Sequence, residues 1–256
     1  MVRSFSKLSL ILASVTLLSV AIGSSANAAM VTLYDSDFTT ADGFTEGADI
    51  NGIDGWTAQV QLDSFNVGSN GEVQFANFVR GYNAATAFAV GDTIEITASV
   101  KSIGGNNPGF DANIFSLGLT SGTDLGTLGN EAGVLLGGQG SNFRLATQSN
   151  AGRTDAGTID TAFHDLTTSI TKSATANQFD VTGSFNGVSL TPFTVTNAGL
   201  YSASTVNTVI FSQGQTNVGG IALDSLNVTV TAIPEPSSMA LVGLGGIGML
   251  VRRRRR

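Results

Sequence analysis

The sequence has no cysteine, one histidine, one tryptophan and four prolines in 256 residues. Without cysteine there are no disulfides and no thiolate metal sites, so an exported chain of this kind must rely on packing or on bound ions. A single histidine excludes a histidine-rich metal centre. It also leaves His164 as the sole imidazole base for a Ser-His-Asp arrangement. Charge is scarce as well: 12% of the residues are charged, against roughly a quarter in an ordinary globular chain. Hydrophobic residues reach 42%, too many for general disorder. Glycine is plentiful, at 32 residues, and Ser, Thr and Asn are abundant. Low charge with many turn formers and β-branched residues points to an all-β protein. The length suits one large β domain or two small ones.

The few charges are unevenly placed. Two of the basic residues, Arg3 and Lys7, precede an apolar run from Leu8 to Ile22, and "ANA" follows. Charged, greasy and small-residue segments in that order make a secretory signal peptide over residues 1–28, with cleavage expected between Ala28 and Ala29. Five arginines close the chain. Between these ends, residues 29–232 hold five basic and eighteen acidic side chains, a net charge of −13. Such an acidic body repels nucleic-acid phosphates, so no nucleic-acid partner is expected.

The middle reads as strands separated by Gly/Asn/Asp turns. "DTIEITASVK" (92–101) alternates cleanly, and "EVQFANFV" (72–79), "ANIFSLGL" (112–119), "AGVLLGG" (132–138) and "NFRLAT" (142–147) follow. "DLTTSITK" (165–172) and "QFDVTGSF" (178–185) form the clearest hairpin. Asn186-Gly187 then supplies a tight turn with positive φ. "NTVIFSQ" (207–213) and "GIALDSLNVTVTA" (220–232) complete the set; the greasy side of the last strand changes near Ser225, which predicts a bulge. "SNAGRTDAGTID" (149–160) reads as a long polar loop. About a dozen short strands with no linker predict a single two-sheet antiparallel β-sandwich over residues 29–232.

Candidate chemistry is sparse. "GLGGIG" (243–248) matches a dinucleotide fingerprint in letters only, since no acid follows at the required distance. Asp165 adjoins His164 in a strand, so the two point to opposite faces, and His164 reads as a sheet-edge residue packing in the hairpin. Asp35-Ser-Asp37 and Asp92-Thr-Ile-Glu95 are the nearest approaches to a glycosidase acid pair; the first lies at a strand end, and the second mixes faces and opens a strand after Gly91, as turn acids do. Trp56 could stack on a sugar, but a lone Trp after Gly in a sandwich reads first as core.

Three pieces of the middle resemble laminin G-like, concanavalin A-like jelly rolls: the opening "LYDSDFTTADGFTEGADINGIDGWTAQV", the hairpin "FHDLTTSITKSATANQFDVTGSFNGVSL" and the closing "GIALDSLNVTV". The resemblance implies a jelly-roll fold. It also implies a structural calcium tying the first strand to the last, for which the matching acids are Asp35, Asp37 and Asp224. Their alternative is as solvated turn and edge acids.

The tail is more specific. Ser237 to Val251 is an apolar run of 15 residues, about 22 Å as a helix and short for a permanent span of a hydrocarbon core about 30 Å thick. Arg252, Arg253, Arg254, Arg255 and Arg256 would hold its end in the cytoplasm. Pro234-Glu235-Pro236, this short transmembrane helix and the terminal arginines resemble a PEP-CTERM sorting signal over residues 233–256. The resemblance implies an exosortase, an integral-membrane cysteine protease, as partner. It further implies inner-membrane anchoring before the tail is removed, at the surface of a Gram-negative bacterium that makes exopolysaccharide. The expectation is therefore a non-enzymatic cell-surface or matrix protein that binds extracellular polysaccharide. The alternatives are a secreted polysaccharide hydrolase or lyase, and a self-associating structural protein.

Overall fold

A computed structural model describes residues 28–60, 65–67, 73–75, 79–103, 111–122, 131–149, 151–212 and 220–233. The segment up to residue 27, where a signal peptide is expected, the apolar tail run, Pro234, Glu235, Pro236 and the terminal arginines lie outside the described residues. One compact unit spans Met30–Thr231.

Among the described residues sixteen strands build two sheets. The terminal sheet holds the first and last strands. Its order is β13 (Val188–Ser189), β12 (Gln178–Phe185), β11 (His164–Lys172), β6 (Thr93–Ile103), β16 (Gly220–Ala232), β4 (Val73–Phe75) and β3 (Phe65–Val67). Two further strands join it: β1 (Ala29–Ser36) pairs with β16, and β14 (Phe193–Thr196) pairs with β12. The middle sheet runs β10 (Thr154–Thr158), β9 (Asn142–Thr147), β8 (Ala132–Gln139), β7 (Asp111–Thr120), β15 (Thr205–Ser212), β5 (Val79–Ala87) and β2 (Thr57–Val60). A single turn of helix, α1 (Ala198–Ser202), is capped by Asn197, whose side chain accepts from the Leu200 N–H.

Alternation explains which faces meet. Ile94, Ile96, Ala98 and Val100 of β6 are fully buried, as are Leu166 and Ile170 of β11 and Val181 of β12. They face Leu117, Val134, Leu136 and Leu145 of the middle sheet in one core cluster. Burying each such side chain stabilises the fold by about 1.5–3 kcal/mol. The rings of Phe143 and Phe185 meet edge to face at 5.0 Å, β9 against β12. Gly183 lets the sheets approach, because a Cβ there would lie 2.5 Å from Val134 Cγ1.

Several expectations are met in detail. The register of β16 on β6 slips between Leu223 and Ser225, so Asp224 is the extra residue of the bulge. That single insertion turns Leu226, Val228 and Val230 inward while Ile221 and Leu223 also stay in the core. Asn186 and Gly187 have φ of 49° and 78°, the double positive turn the Asn-Gly pair favours. Trp56 is 1% exposed; its indole N–H donates to the Tyr34 hydroxyl at 2.9 Å, so it is a core residue and not a sugar platform.

Other expectations need correction. Residues 72–79 are not one strand: β4 lies in the terminal sheet and β5 in the middle sheet. The apolar pattern continues across the crossover, so periodicity could not reveal the change of sheet. The segment 149–160 is not all loop, because β10 pairs with β9 at the sheet edge, with Ala156 buried. A polar edge strand with one apolar residue carries little hydrophobic signal. His164 is not at a sheet edge either, since β11 lies between β6 and β12.

Lys172 is an unforeseen buried cation, 6% exposed. Its Nζ donates to the Phe88 carbonyl at 2.9 Å and lies 4.8 Å from the Tyr201 ring centroid. Burial lowers its pKa, with the Asp92 charge opposing that shift. Asp92 itself is a turn acid: its carboxylate accepts from the Ala89 N–H at 2.9 Å.

Candidate functional site

The alternation that fills the core places polar side chains on the outer face of the terminal sheet. Outward positions are Thr93, Glu95, Thr97 and Ser99 on β6, Asp165, Thr167, Ser169 and Thr171 on β11, and Asp180, Thr182 and Ser184 on β12. The antiparallel register aligns them in rows: Thr97, Thr167 and Ser184 in one, Glu95, Ser169 and Thr182 in the next, then Thr93, Thr171 and Asp180. Cross-strand hydroxyl pairs stitch two of these rows, Thr93 to Thr171 at 2.8 Å and Thr97 to Thr167 at 3.2 Å. Such pairs are a normal unit of sheet stabilisation.

Described residues of this face line two open depressions. The larger, of about 440 Å³, is lined by Phe163, His164, Asp165, Thr167, Ser184, Asn186 and Gly187. It forms where β11 begins and β12 turns into β13. The Asn186 N–H donates to the Asp165 carbonyl at 3.2 Å, which fixes the tight turn against the start of β11. Lys101 Nζ sits 4.3 Å from the centroid of the Phe163 ring, a cation–π contact that orients the ring. The Asp165 carboxylate is exposed and has no hydrogen-bond partner among the described residues.

His164 borders this depression but faces inward. Its ring meets Phe185 edge to face at 5.7 Å, and its Nε2 lies 2.8 Å from Asp160 Oδ1. That hydrogen bond is the main cause that holds the Asp160 carboxyl below the usual range. His164 is therefore oriented by Asp160, and Asp165 points away from it, so no Ser-His-Asp geometry forms through Asp165.

The second depression, of about 260 Å³, lies farther along the same strands. Ser169, Thr171, Asp180, Thr182, Phe193 and Thr194 line it, with Val181 and Pro192. Phe193 comes from β14, which pairs with β12. Each depression thus joins one half-buried phenylalanine, one carboxylate and several hydroxyls.

The acids expected to hold calcium do not come together. Asp35 is exposed and accepts from the Asn227 side-chain amide at 3.0 Å. That contact, with the pairing of β1 and β16, ties the first strand to the last. Asp37 is exposed after the end of β1, and its N–H donates to Asp42 at 3.2 Å. Asp224 is half-buried in the β16 bulge. Among the described residues no group of three His, Asp or Glu side chains is placed to hold a metal ion. Asp35, Asp37 and Asp224 therefore do not fit calcium as a ligand set. The acid that organises this region is Asp42, whose Oδ2 accepts from the backbone N–H groups of Asp37 and Thr39 and from the Thr39 and Ser36 hydroxyls.

Sequence reading alone did not single out Phe163, Asp165, Asn186, Asp180 or Phe193 as a surface. Alternation signalled that Asp165 and Asp180 point outward. Nothing in the letters showed that Phe163 borders the Asn-Gly turn or that β14 brings Phe193 beside β12. Among the described residues no helix is long and apolar enough to cross a membrane.

Comparison with known proteins agrees with this architecture. A family model described as the PEP-CTERM protein-sorting motif matches residues 232–256. No curated protein sequence matches the chain. Among solved structures, an endo-1,3-beta-glucanase from Streptomyces sioyaensis superposes with a TM-score of 0.54 at 11% identity, over 79% of this chain and 97% of that one. Peanut lectin gives a TM-score of 0.52 at 14% identity, over 81% of this chain and 100% of its own. Lectin II from Ulex europaeus gives 0.50 at 10% identity, with coverage of 81% and 100%. At these identities the likeness is one of fold. The chain carries a PEP-CTERM sorting motif, which marks it for export and exosortase processing, behind a body with the lectin-like, concanavalin A-like jelly-roll fold.

Proposed function

We propose that this is a non-enzymatic surface protein of a Gram-negative bacterium, sorted by its tail, whose body binds extracellular polysaccharide on the outer face of the terminal sheet. The observation that carries the reading is the larger depression. It sets an unpartnered carboxylate, an amide, two hydroxyls and a phenylalanine side by side. Sugar hydroxyls need donors and acceptors around an apolar face, and a concave site with a few convergent polar groups supplies both. The lectin-like fold and the acidic body support a neutral glycan, because a polyuronate would be repelled.

The carboxylate spacing supports binding rather than cleavage. Glycoside hydrolysis uses two carboxyl groups about 5–10 Å apart. Here Asp165 lines one depression and Asp180 the other, and neither has a second acid beside it in the lining. The test is equilibrium binding of the purified protein to the producer's neutral exopolysaccharide. Asp165→Ala should weaken binding about 10- to 100-fold, the worth of one charge-assisted hydrogen bond of roughly 1.5–3 kcal/mol. Unchanged binding by the variant, or none by the parent, overturns the reading, and release of reducing ends would favour a hydrolase.

One observation favours a second reading, a self-associating structural protein. β1 pairs only with β16 among the described residues, and Met30, Val31 and Leu33 on it are 73%, 51% and 37% exposed. An exposed apolar edge strand is a template for another chain. Light scattering of the Val31→Lys variant checks this, with loss of concentration-dependent association expected.

A further inference from the structure

We propose that the two depressions are subsites for a single extended glycan chain lying along β11 and β12, so that recognition requires at least about four sugar rings. This rests on the glycan-binding reading above and adds the ligand's length, direction and charge class.

The register sets the distance. The first depression is centred on Asp165 and Thr167 of β11, the second on Ser169 and Thr171. On β12 and the turn that follows it the corresponding residues are Ser184 and Asn186, then, on β12 itself, Asp180 and Thr182. Both strands therefore advance by four residues, or roughly 13–14 Å at 3.3–3.4 Å per residue. A pyranose linked across opposite carbons lengthens a chain by roughly 5 Å, a little over three bonds of about 1.5 Å. Subsites so spaced are separated by about three rings, and a tetrasaccharide spans them.

The composition of the two ends matches. Phe163 and Asp165 in one depression correspond to Phe193 and Asp180 in the other. The outward hydroxyls of Thr167 and Ser184 in the first depression adjoin those of Ser169 and Thr182 in the second, on two strands in register. An extended chain laid along the strands meets a continuous polar track with an apolar ring at each end. Both ends carry a carboxylate, so an anionic chain is repelled and a neutral one is accommodated.

The experiment uses a size ladder made by partial acid hydrolysis of the producer's neutral exopolysaccharide, with affinity measured for each length. Linking two weak sites raises affinity without any new type of contact. The tetrasaccharide should therefore bind at least tenfold tighter than the disaccharide, with little gain beyond. Asp180→Ala should remove that gain, so that the tetrasaccharide binds no more than about as tightly as the disaccharide. Equal affinity for all lengths, or an Asp180→Ala variant that keeps the full length dependence, overturns the two-subsite proposal while leaving glycan binding intact. Absence of binding at every length overturns both. A uronate-rich polysaccharide that binds as tightly as the neutral one overturns the charge class.

Discussion

Replacing Gly183 with alanine probes the distance between the two sheets. An added Cβ would sit 2.5 Å from Val134 Cγ1 and 3.4 Å from its Cβ. Ordinary carbon contacts are about 3.5–4.0 Å, so one side must yield by roughly 1 Å. Val134 cannot yield easily. It is β-branched and stiff at χ1, and β8 is held on both sides by β7 and β9. Overpacking of this kind costs about 1–3 kcal/mol. The opposing effect is the loss of glycine's freedom in the unfolded chain, which stabilises by about 0.4–1 kcal/mol where the backbone is compatible. Gly183 is not among the positive-φ positions, so that gain applies, and the net loss should be about 1–2 kcal/mol.

Val134→Ala alone should also destabilise, by leaving a cavity. Together the two substitutions should cost less than their sum by at least about 1 kcal/mol, because the new methyl enters the vacated space. Urea unfolding of the four proteins, followed by the fluorescence of the single, fully buried Trp56, measures the cycle. A neutral Gly183→Ala, or strict additivity, would refute the close approach of β12 and β8.

Burial drives the Tyr34 phenol up to about 12, with the Trp56 hydrogen bond partly opposing. Its folded pKa exceeds the unfolded value of about 10, so its contribution to stability is complete below pH 10 and is lost as pH rises through about 12. Phenolate absorbance should show a late phase that Tyr34→Phe abolishes; persistence of that phase in the variant contradicts the assignment. Asp42 is held below the ordinary carboxylate range chiefly by the Thr39 N–H. Its contribution is therefore present above the unfolded pKa and fades as pH falls through the lower folded value. Asp42→Asn should flatten the acid limb of the stability profile, and coincident acid limbs would count against the cluster. Replacing Pro234, Glu235 and Pro236 with alanine should leave a C-terminal epitope tag on the protein in the inner membrane. Normal tag loss would separate the motif from processing.

Much of the sandwich was legible because each strand has one buried face. β6 alternates from Thr93 to Ser102 and β11 and β12 for 9 and 8 residues, and a one-residue slip would expose their whole apolar sets. The bulge at Asp224 was legible for the same reason, since the apolar phase shifts there. β10 was hidden because an edge strand shares its backbone hydrogen bonds with one neighbour and buries little. That β4 and β5 belong to different sheets was hidden because periodicity shows which face of a strand is buried and not which sheet receives it.

The candidate site divides along the same line. Outward hydroxyls and carboxylates on β11 and β12 follow from alternation alone, as does the positive-φ turn at Asn186-Gly187. The sorting motif is a linear feature, so the sequence by itself determined where the protein is sent. Only the tertiary structure decided that Phe163 lies beside Asp165 and Asn186, and that Phe193 reaches Asp180 from a different strand. It also decided that Asp35 is tied to Asn227, 192 positions away. Those neighbours are set by strand pairing between distant segments, which local periodicity does not encode.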